Sequence, residues 1–359
     1  MKKMYVFVLI VSIAVLSVLV FSNPTLAEMK PIKLKFATPF PPASVSLGGA
    51  SAQLWMDEVT KRTNGKVTFQ KFWGGALGKA PEHISLIEKG IVDVAFIYPW
   101  WTPGKLPLGV FENAFPFGPV DSVLVWKAKR QMYAEFPQFK KDYAKCNALL
   151  LQVSGSTPYQ LLSKIKVTKL KDFKGKKVMV FGRYLGDWIG ACGAVPVGSM
   201  MPARYNMMQT GVGEMDLLPI GVQASLKLYE QANYQIIIDA FAHCAWDVVI
   251  NVNSFNKLPK EVQTIFTEAG AKTEPIIAGK IVKQWADKAK KIFKENGVET
   301  CKLPEAERNK WAGMIPDTPA LWAKEVSAKG YPGWEIVNRY QELTTQFGYK
   351  WPRKWGVKK

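Results

Sequence analysis

Apolar and polar residues alternate along residues 33–37 and 67–72, and this pattern predicts two strands, the first with the alternation of a strand at a sheet edge. Between them, apolar residues recur at helical spacing over residues 47–63, which predicts an amphipathic helix. A second helix over residues 82–89 precedes the mostly buried strand 92–97. Strand, helix, strand, helix and strand within about 65 residues are typical of an α/β layer with a largely parallel sheet.

The pattern restarts in the second part of the chain. A helix is predicted over residues 203–210, and strands are predicted at residues 149–153, 177–181, 212–219, 235–238 and 247–251. From Pro259 the chain is helical and rich in lysine, with predicted helices at residues 261–269, 275–296, 305–312, 322–329 and 334–347. Two α/β halves followed by a helical C-terminal third indicate two lobes around a cleft, which is where small ligands bind in such proteins.

The composition narrows the class of protein. A chain of 359 residues with 48% hydrophobic residues can bury a sizeable core, which excludes a disordered tail protein. Four cysteines in so long a chain exclude a disulfide-stapled mini-scaffold. They form no C-x-x-C motif, and one or two disulfides are permitted. Two histidines, His83 and His243, leave little material for a histidine-based metal site, so we expect no metal and no cofactor.

The first residues have the plan of a secretory signal peptide. Lys2 and Lys3 precede an apolar stretch over residues 5–21, and small residues at Thr25 and Ala27 mark a cleavage site. The sequence therefore predicts a signal peptide over residues 1–27 and export to the periplasm. An uncleaved membrane anchor remains an alternative, because the apolar stretch is long.

The net charge of +19 would suggest a nucleic-acid partner, but an exported protein does not meet the genome. The positive field could instead concentrate small anions or hold the protein near an acidic membrane surface. A solvated, lysine-rich face is the plainer interpretation, because net charge predicts function only weakly.

Motifs of enzyme chemistry are not found in the sequence. The chain has no G-x-S-x-G elbow, no G-x-G-x-x-G fingerprint and no phosphate loop. We therefore expect no catalytic residues and a protein that is not an enzyme; a secreted enzyme would have to turn over a bound compound.

Several segments together carry a family resemblance. The most specific signal is the pair of segments 74–78 (GGALG) and 86–95 (LIEKGIVDVA); the others are residues 55–67, 170–178 (LKDFKGKKV), 193–197 (GAVPV), 209–212 (QTGV) and 251–266. These segments resemble the extracytoplasmic solute receptors of tripartite ATP-independent periplasmic (TRAP) transporters, of the dicarboxylate-binding DctP type. The resemblance covers essentially the whole chain after residue 27.

The resemblance implies a two-lobed, clamshell α/β fold with mixed sheets flanked by helices, its lobes joined by crossing strands and one long helix. Lobe I would comprise residues 28–153 with roughly 246–287, and lobe II residues 154–245 with roughly 288–359. Such a receptor closes on a small organic acid and delivers it to the membrane permease subunits. We expect no nucleic-acid partner, because the protein is exported, and we expect contact with the membrane only through the permease. An exported sensory receptor with the same fold is the alternative.

The sequence departs from the family at positions that matter for the ligand. The family carries a ligand-binding arginine on the strand where this chain has Met179, and we hypothesise that Arg183, in the following loop, reaches the same region. The family's Asp-Gly is replaced by Glu214 and Met215, with Asp216 following. These departures make a simple C4-dicarboxylate a poor expectation.

Aromatic residues are abundant where the pockets of the family lie. They suggest an aromatic or bulky apolar acid, or a hydroxy- or keto-acid, as the ligand. A cation–π box for an amine is the alternative, with Asp216 or Glu214 as the counter-charge. The predicted ligand-binding residues are Arg183, Trp100, Tyr159, Tyr98, Phe40, Asp216, Trp188 and His243, and Tyr184 belongs to the same aromatic set.

Overall fold

The computed structural model describes residues 29–357, so the predicted signal peptide at residues 1–27 lies outside the described residues. Among the described residues, none of the helices combines the length and the apolar character needed to cross a bilayer. The chain forms two sheets, each flanked by helices, which confirms the predicted α/β class with mixed sheets.

The first sheet has five strands in the order β2-β1-β3-β10-β4. They are β1 (Ile32–Ala37), β2 (Val67–Phe72), β3 (Val94–Ile97), β4 (Ala148–Ser154) and β10 (Trp246–Asn251). β1 runs parallel to β2 and β3, whereas β10 is antiparallel to β3 and β4. The prediction of β1 as an edge strand is wrong, because both of its edges are paired; its polar residues alternate because one face remains accessible.

The second sheet has six strands in the order β11-β9-β5-β8-β6-β7. They are β5 (Tyr159–Ser163), β6 (Lys177–Val180), β7 (Val195–Gly198), β8 (Met215–Pro219), β9 (Tyr234–Ile237) and β11 (Glu299–Lys302). β6 is parallel to both β7 and β8, and β5 is antiparallel to β8 and β9. The strands β5, β7 and β11 were not predicted from the sequence pattern. We call the parts of the chain around the two sheets the first and the second lobe.

Thirteen α-helices are found among the described residues. They are α1 (Leu47–Arg62), α2 (His83–Glu88), α3 (Ser122–Glu135), α4 (Gln138–Lys145), α5 (Arg183–Ala191), α6 (Arg204–Gln209), α7 (Ile220–Ser225), α8 (Val252–Asn256), α9 (Lys260–Ile276), α10 (Val282–Glu295), α11 (Glu305–Met314), α12 (Thr318–Ser327) and α13 (Gly333–Gln346). Helix α1 begins at residue 47, as predicted, because the side chain of Ser46 accepts a hydrogen bond from the Gly49 amide and caps it.

Helices α9 and α10 form one long helix, joined by a π-helical segment over Ile277–Ile281. The predicted interruption between residues 269 and 275 is wrong, because the helix continues through this stretch, with Gly270, Thr273 and Glu274 buried where α9 packs on β4. Gly270 makes this packing possible: a Cβ atom there would lie 1.9 Å from the carbonyl oxygen of Leu151. Pro275 is accommodated within the helix, and the π-helical turn follows it.

The chain crosses between the lobes at three places. The segment after β4 and the segment before β10 run side by side and hydrogen-bond to each other, from the Ser156 amide to the His243 carbonyl at 2.9 Å and from the Tyr159 amide to the Phe241 carbonyl at 2.8 Å. The long helix is the third connection, since α9 packs on β4 and α10 packs on α7. Two hydrogen-bonded segments and a helix are the kind of connection that lets two lobes hinge.

The C-terminal part of the chain contacts both lobes. Helices α12 and α13 pack on each other, and α13 also packs on α3 beside the first sheet, while β11 pairs with β9 in the second. The predicted residue limits of the two lobes stay a prediction. All four cysteines are free and buried, so none of the permitted disulfides is formed in this structure.

Candidate ligand-binding site

A cavity of about 600 Å³ lies between the two lobes. From the first lobe, its walls come from the segments that follow β1, β2 and β3. From the second lobe, they come from the segments that follow β6 and β7 and from the end of β8. These are the carboxyl ends of neighbouring strands, where side chains from several loops converge and where α/β proteins place their ligands. The topology of the two sheets thus creates the site.

The walls of the cavity are mainly aromatic. Six rings line it: Phe40, Tyr98, Trp100, Trp101, Tyr159 and Phe181. Trp100 from the first lobe meets Phe181 from the second, with ring centroids 5.4 Å apart. The Tyr98 hydroxyl accepts a hydrogen bond from Asn113 Nδ2 at 2.9 Å, so its orientation is fixed from behind. Such walls favour a ligand with a flat or bulky apolar body.

Arg204, at the start of α6, supplies a cationic group to the cavity wall. Its Nη1 atom donates to Asp216 Oδ1, and its Nη2 atom donates to the Ser199 carbonyl at 3.1 Å. The side chains of Arg204 and Asp216 are both fully buried. Two groups near the cavity have no hydrogen-bond partner among the described residues: the Nε atom of Arg204 and the hydroxyl of Ser199. Unpartnered donors in a buried wall indicate room for an acceptor on a ligand.

Asp216 holds Arg204 from behind. Gln223 Nε2 donates to Asp216 Oδ2 at 3.1 Å, so the carboxylate is hydrogen-bonded on both oxygens. Burial raises the pKa of the Asp216 carboxyl, and the Arg204 charge and the Gln223 hydrogen bond act in the opposite direction. The pair adds little net charge to the cavity and fixes the guanidinium for a directed hydrogen bond.

Lys79 lies at the entrance of the cavity and is exposed. Its ammonium group forms no ion pair with any of residues 29–357. With Arg204 compensated by Asp216, Lys79 is the uncompensated charge among the lining residues. A cavity with one excess positive charge attracts a ligand with one negative charge.

Four of the predicted ligand-binding residues line the cavity: Phe40, Tyr98, Trp100 and Tyr159. Asp216 lies behind the wall, where it is bound to Arg204. His243 lies behind it too, with its ring stacked on Tyr98 at a centroid distance of 4.8 Å. Burial lowers the pKa of His243 to about 3, so the ring is neutral and serves as a packing surface.

The structure does not place Arg183, Trp188 or Tyr184 at the cavity. Arg183 begins helix α5 and does not lie in a loop, and its Nη1 atom donates to Glu325 Oε1 at 2.7 Å on the surface. The Tyr184 hydroxyl donates to Glu325 Oε2 at 3.1 Å. Trp188 is buried, and its Nε1 atom donates to Thr318 Oγ1 at 3.2 Å. These three side chains join the second lobe to α12.

The acidic groups considered for an amine ligand are both occupied elsewhere. Asp216 is bound to Arg204, and Glu214 accepts a hydrogen bond from the Lys177 amide at 3.0 Å. Met179, at the family's arginine position, is fully buried in the core of the second lobe and does not line the cavity. Neither acid is free to balance a cation in the aromatic cavity.

Arg204 and Lys79 line the cavity but were not predicted as ligand-binding residues. Arg204 follows β7, and its place at the cavity depends on that strand, which the sequence pattern did not predict. Had β7 been predicted, the rule that ligands bind at the carboxyl ends of strands would have indicated Arg204. No group of at least three metal-ligating side chains that could hold a metal ion is found among residues 29–357.

Comparisons with known proteins show the family and the fold of the chain. Residues 36–324 match the model of the family described as bacterial extracellular solute-binding protein, family 7 (DctP). A solute-binding protein of Sulfitobacter sp. strain NAS-14.1 is 24% identical over 277 residues, which are 75% of this chain and 81% of that protein.

Solved structures share the fold. A TRAP periplasmic solute-binding protein from Desulfovibrio salexigens, in an open complex, is 25% identical with a TM-score of 0.75, over 88% of this chain and 97% of that one. A marine metagenome TRAP solute-binding protein specific for aromatic acid ligands, in complex with 3-hydroxybenzoate, is 21% identical with a TM-score of 0.77. That match covers 89% of this chain and all of the other (100%).

Proposed function

This chain belongs to the bacterial extracellular solute-binding proteins of family 7, as the family match over residues 36–324 shows, and from this premise we propose that it captures a small monocarboxylate with an aromatic or other bulky apolar body. The fold and family are those of TRAP solute receptors, which bind and release a solute and are not enzymes. The ligand, its delivery to a permease and the periplasmic location are parts of the proposal.

The observation that carries the proposal is the aromatic cavity with a single uncompensated positive charge. Six rings surround the ligand space, Arg204 offers its free Nε, and Lys79 lies at the entrance. One carboxylate can accept from these donors. A second carboxylate would lose its hydration against aromatic carbon without a compensating partner, which is costly.

The relative with 3-hydroxybenzoate bound supports this class of ligand, because that receptor accommodates an aromatic ring with one carboxylate. The cavity of about 600 Å³ is large enough for a ring of that size. Hydroxy- and keto-acids with a bulky apolar body fit the same description.

Capture would proceed by closure of the lobes. Two contacts already cross the cleft: Trp100 lies against Phe181, and Ser225 Oγ donates to the Val45 carbonyl at 2.8 Å. A ligand that touches both walls adds contacts that exist only in the closed state, so it shifts the population toward closure. The closed receptor is then the form that a membrane permease would recognise.

Calorimetric titration tests the proposal directly. The protein, stripped of bound compounds by unfolding and refolding, is titrated with 3-hydroxybenzoate, benzoate, 2-oxoisovalerate, succinate and choline. We expect the tightest binding from an acid with one carboxylate and an apolar body. Tighter binding of succinate or choline than of every monocarboxylate would overturn the proposal. Chemical change of the ligand after incubation would show an enzyme instead of a receptor.

A further inference from the structure

A second cavity, of about 630 Å³, lies in the second lobe between its sheet and helix α10. Its walls come from β5, β9, β11 and α10, and it shares no lining residue with the cavity between the lobes. The solute-receptor function described above leaves this cavity without a role.

The wall of this cavity contains a buried amide with unmet hydrogen-bonding capacity. Gln235, in the middle of β9, is 1% exposed, and its Nε2 atom has no hydrogen-bond partner among the described residues. The neighbouring Gln160 is different: its Oε1 accepts from the amides of Ile238 and Asp239, and its Nε2 donates to Asp239 Oδ1 at 2.8 Å. The Nε2 atom of Gln235 can therefore donate a hydrogen bond to an acceptor on a ligand in this cavity.

Two lysines face the same cavity from one turn of α10. Lys290 and Lys294 are exposed, and neither forms an ion pair with a residue in the described part of the chain. Two other lysines of α10 are paired, Lys283 with Asp287 at 2.6 Å and Lys291 with Glu295 at 3.7 Å. The two ammonium groups of α10 that face the cavity are thus free of ion pairs within residues 29–357.

The remaining polar groups determine which ligand fits. The Thr300 hydroxyl lines the cavity, and Asp239 contributes its one carboxylate, of which Oδ1 is bound by Gln160. Arg308 donates to the Asp239 carbonyl at 3.1 Å and adds positive charge nearby. The rest of the wall is apolar, formed by Pro158, Ile220, Ile237, Ala286 and Val298. The polar part of the wall thus has more hydrogen-bond donors and positive charges than acceptors, and the apolar part forms the floor of the cavity.

We propose that this cavity is a second binding site, for a small organic dianion. The two ammonium groups lie on one helical turn, a spacing of about 5–6 Å between Cβ atoms, and can hold two negative charges of one molecule. The Gln235 amide donates to the same ligand, and the apolar floor receives its carbon skeleton. The shared chemistry is that of a phosphate monoester or a short dicarboxylate. This inference does not depend on which ligand occupies the cavity between the lobes.

Calorimetric titration of the full chain with glycerol phosphate and with succinate tests this proposal, and the two arms show which kind of dianion is preferred. Lys290→Gln/Lys294→Gln should weaken binding at least about tenfold, because it removes two charge-assisted contacts. The matched control Lys283→Gln/Lys291→Gln makes the same change of charge on the same helix and should leave the affinity within about twofold. Equal loss in both double variants would show a general charge effect and overturn the proposal.

Gln235→Leu tests whether the side-chain amide of Gln235 binds the ligand or is a buried polar group without a role in binding. The substitution fills the same space without polar atoms, so we expect an unchanged or higher melting temperature. If the amide binds the dianion, affinity falls about tenfold in this stable variant. Unchanged affinity in Gln235→Leu, or no saturable binding of either probe to the wild-type protein, would overturn the proposal. If succinate binds instead in the cavity between the lobes, Lys290→Gln/Lys294→Gln will not weaken its binding. This variant therefore distinguishes binding at the two cavities.

Discussion

The indole ring of Trp100 in the first lobe lies against the ring of Phe181 in the second, with centroids 5.4 Å apart and planes inclined by 70°. The next residue, Gly182, has a φ of +80° and would carry a Cβ atom only 2.7 Å from Trp100 Nε1. Glycine is needed here both for its backbone conformation and for the approach of the indole. Closure of the cleft therefore depends on a position without a side chain.

Gly182→Ala should weaken ligand binding about tenfold, because the added methyl group displaces Trp100 from the closed interface and overpacking of this kind costs about 1–3 kcal/mol. Calorimetric titration with the tightest ligand found for the wild-type protein measures the change.

Gly175→Ala is the matched control for this variant. Gly175 also has a positive φ, of +72°, but no atom lies within 4 Å of its Cβ position. It should lose some stability and keep its affinity. Equal affinity of the two variants would mean that the Trp100 contact does not contribute to closure.

Arg204→Lys should weaken binding of a monocarboxylate at least about tenfold, because an ammonium group cannot bond Asp216, the Ser199 carbonyl and a ligand in the same fixed geometry. The variant keeps the positive charge beside Asp216, so the fold should persist, and circular dichroism checks this.

Arg183→Lys serves as the comparison, because Arg183 is exposed and bound to Glu325. Its affinity should match that of the wild-type protein. The opposite outcome, a loss in Arg183→Lys and none in Arg204→Lys, would restore the hypothesis that Arg183 reaches the ligand.

Trp188→Leu should lower the free energy of unfolding by about 2–4 kcal/mol without changing ligand affinity. Trp188 is 3% exposed and packs on Phe241 and Thr318, away from the cavity. Chemical denaturation and calorimetric titration measure the two quantities.

Trp100→Leu should have the opposite effect to Trp188→Leu, because Trp100 lines the cavity. We expect a clear loss of ligand affinity and a smaller loss of stability. If Trp188→Leu loses affinity as strongly as Trp100→Leu does, the division between cavity and core is wrong.

His243→Phe should be stabilising relative to the wild-type protein in acid. Burial lowers the pKa of His243 in the native state to about 3. Below about pH 6.5, His243 therefore binds a proton in the unfolded chain but remains neutral in the native state. That uptake destabilises the wild-type protein by about 1.4 kcal/mol per pH unit between these values, and the phenylalanine variant lacks it.

Denaturant unfolding from pH 7 to pH 4 measures the difference between the two proteins. Tyr133→Phe is the control, since burial raises the pKa of the Tyr133 hydroxyl and that hydroxyl itself does not titrate between pH 4 and pH 7. A difference for His243→Phe that does not change with pH would contradict the account.

Local periodicity predicted much of the fold. Strand β2 and the start of α1 were placed correctly, because alternation and the helical spacing of apolar residues are local signals. The interruption predicted near Pro275 is absent, because packing of Gly270 on β4 stabilises a helix that the local sequence disfavours.

The candidate site was predicted only in part. The aromatic residues stand next to predicted strands, so their place at the cavity could be inferred. The position of Arg204 at the cavity could not be inferred. Arg204 contacts Asp216 only because β6 pairs with both β7 and β8, and local periodicity does not predict which strands pair. Arg183 was preferred because it stands nearer in sequence to Met179, although the helix that begins there turns it toward Glu325.

A crystal structure of the protein with its tightest monocarboxylate bound tests the central claim most directly. We predict one unaltered ligand between Trp100 and Tyr159, touched by both lobes, with its carboxylate within hydrogen-bonding distance of Arg204. A ligand held by one lobe alone, or a carboxylate bound by Arg183 with Arg204 left untouched, would contradict it.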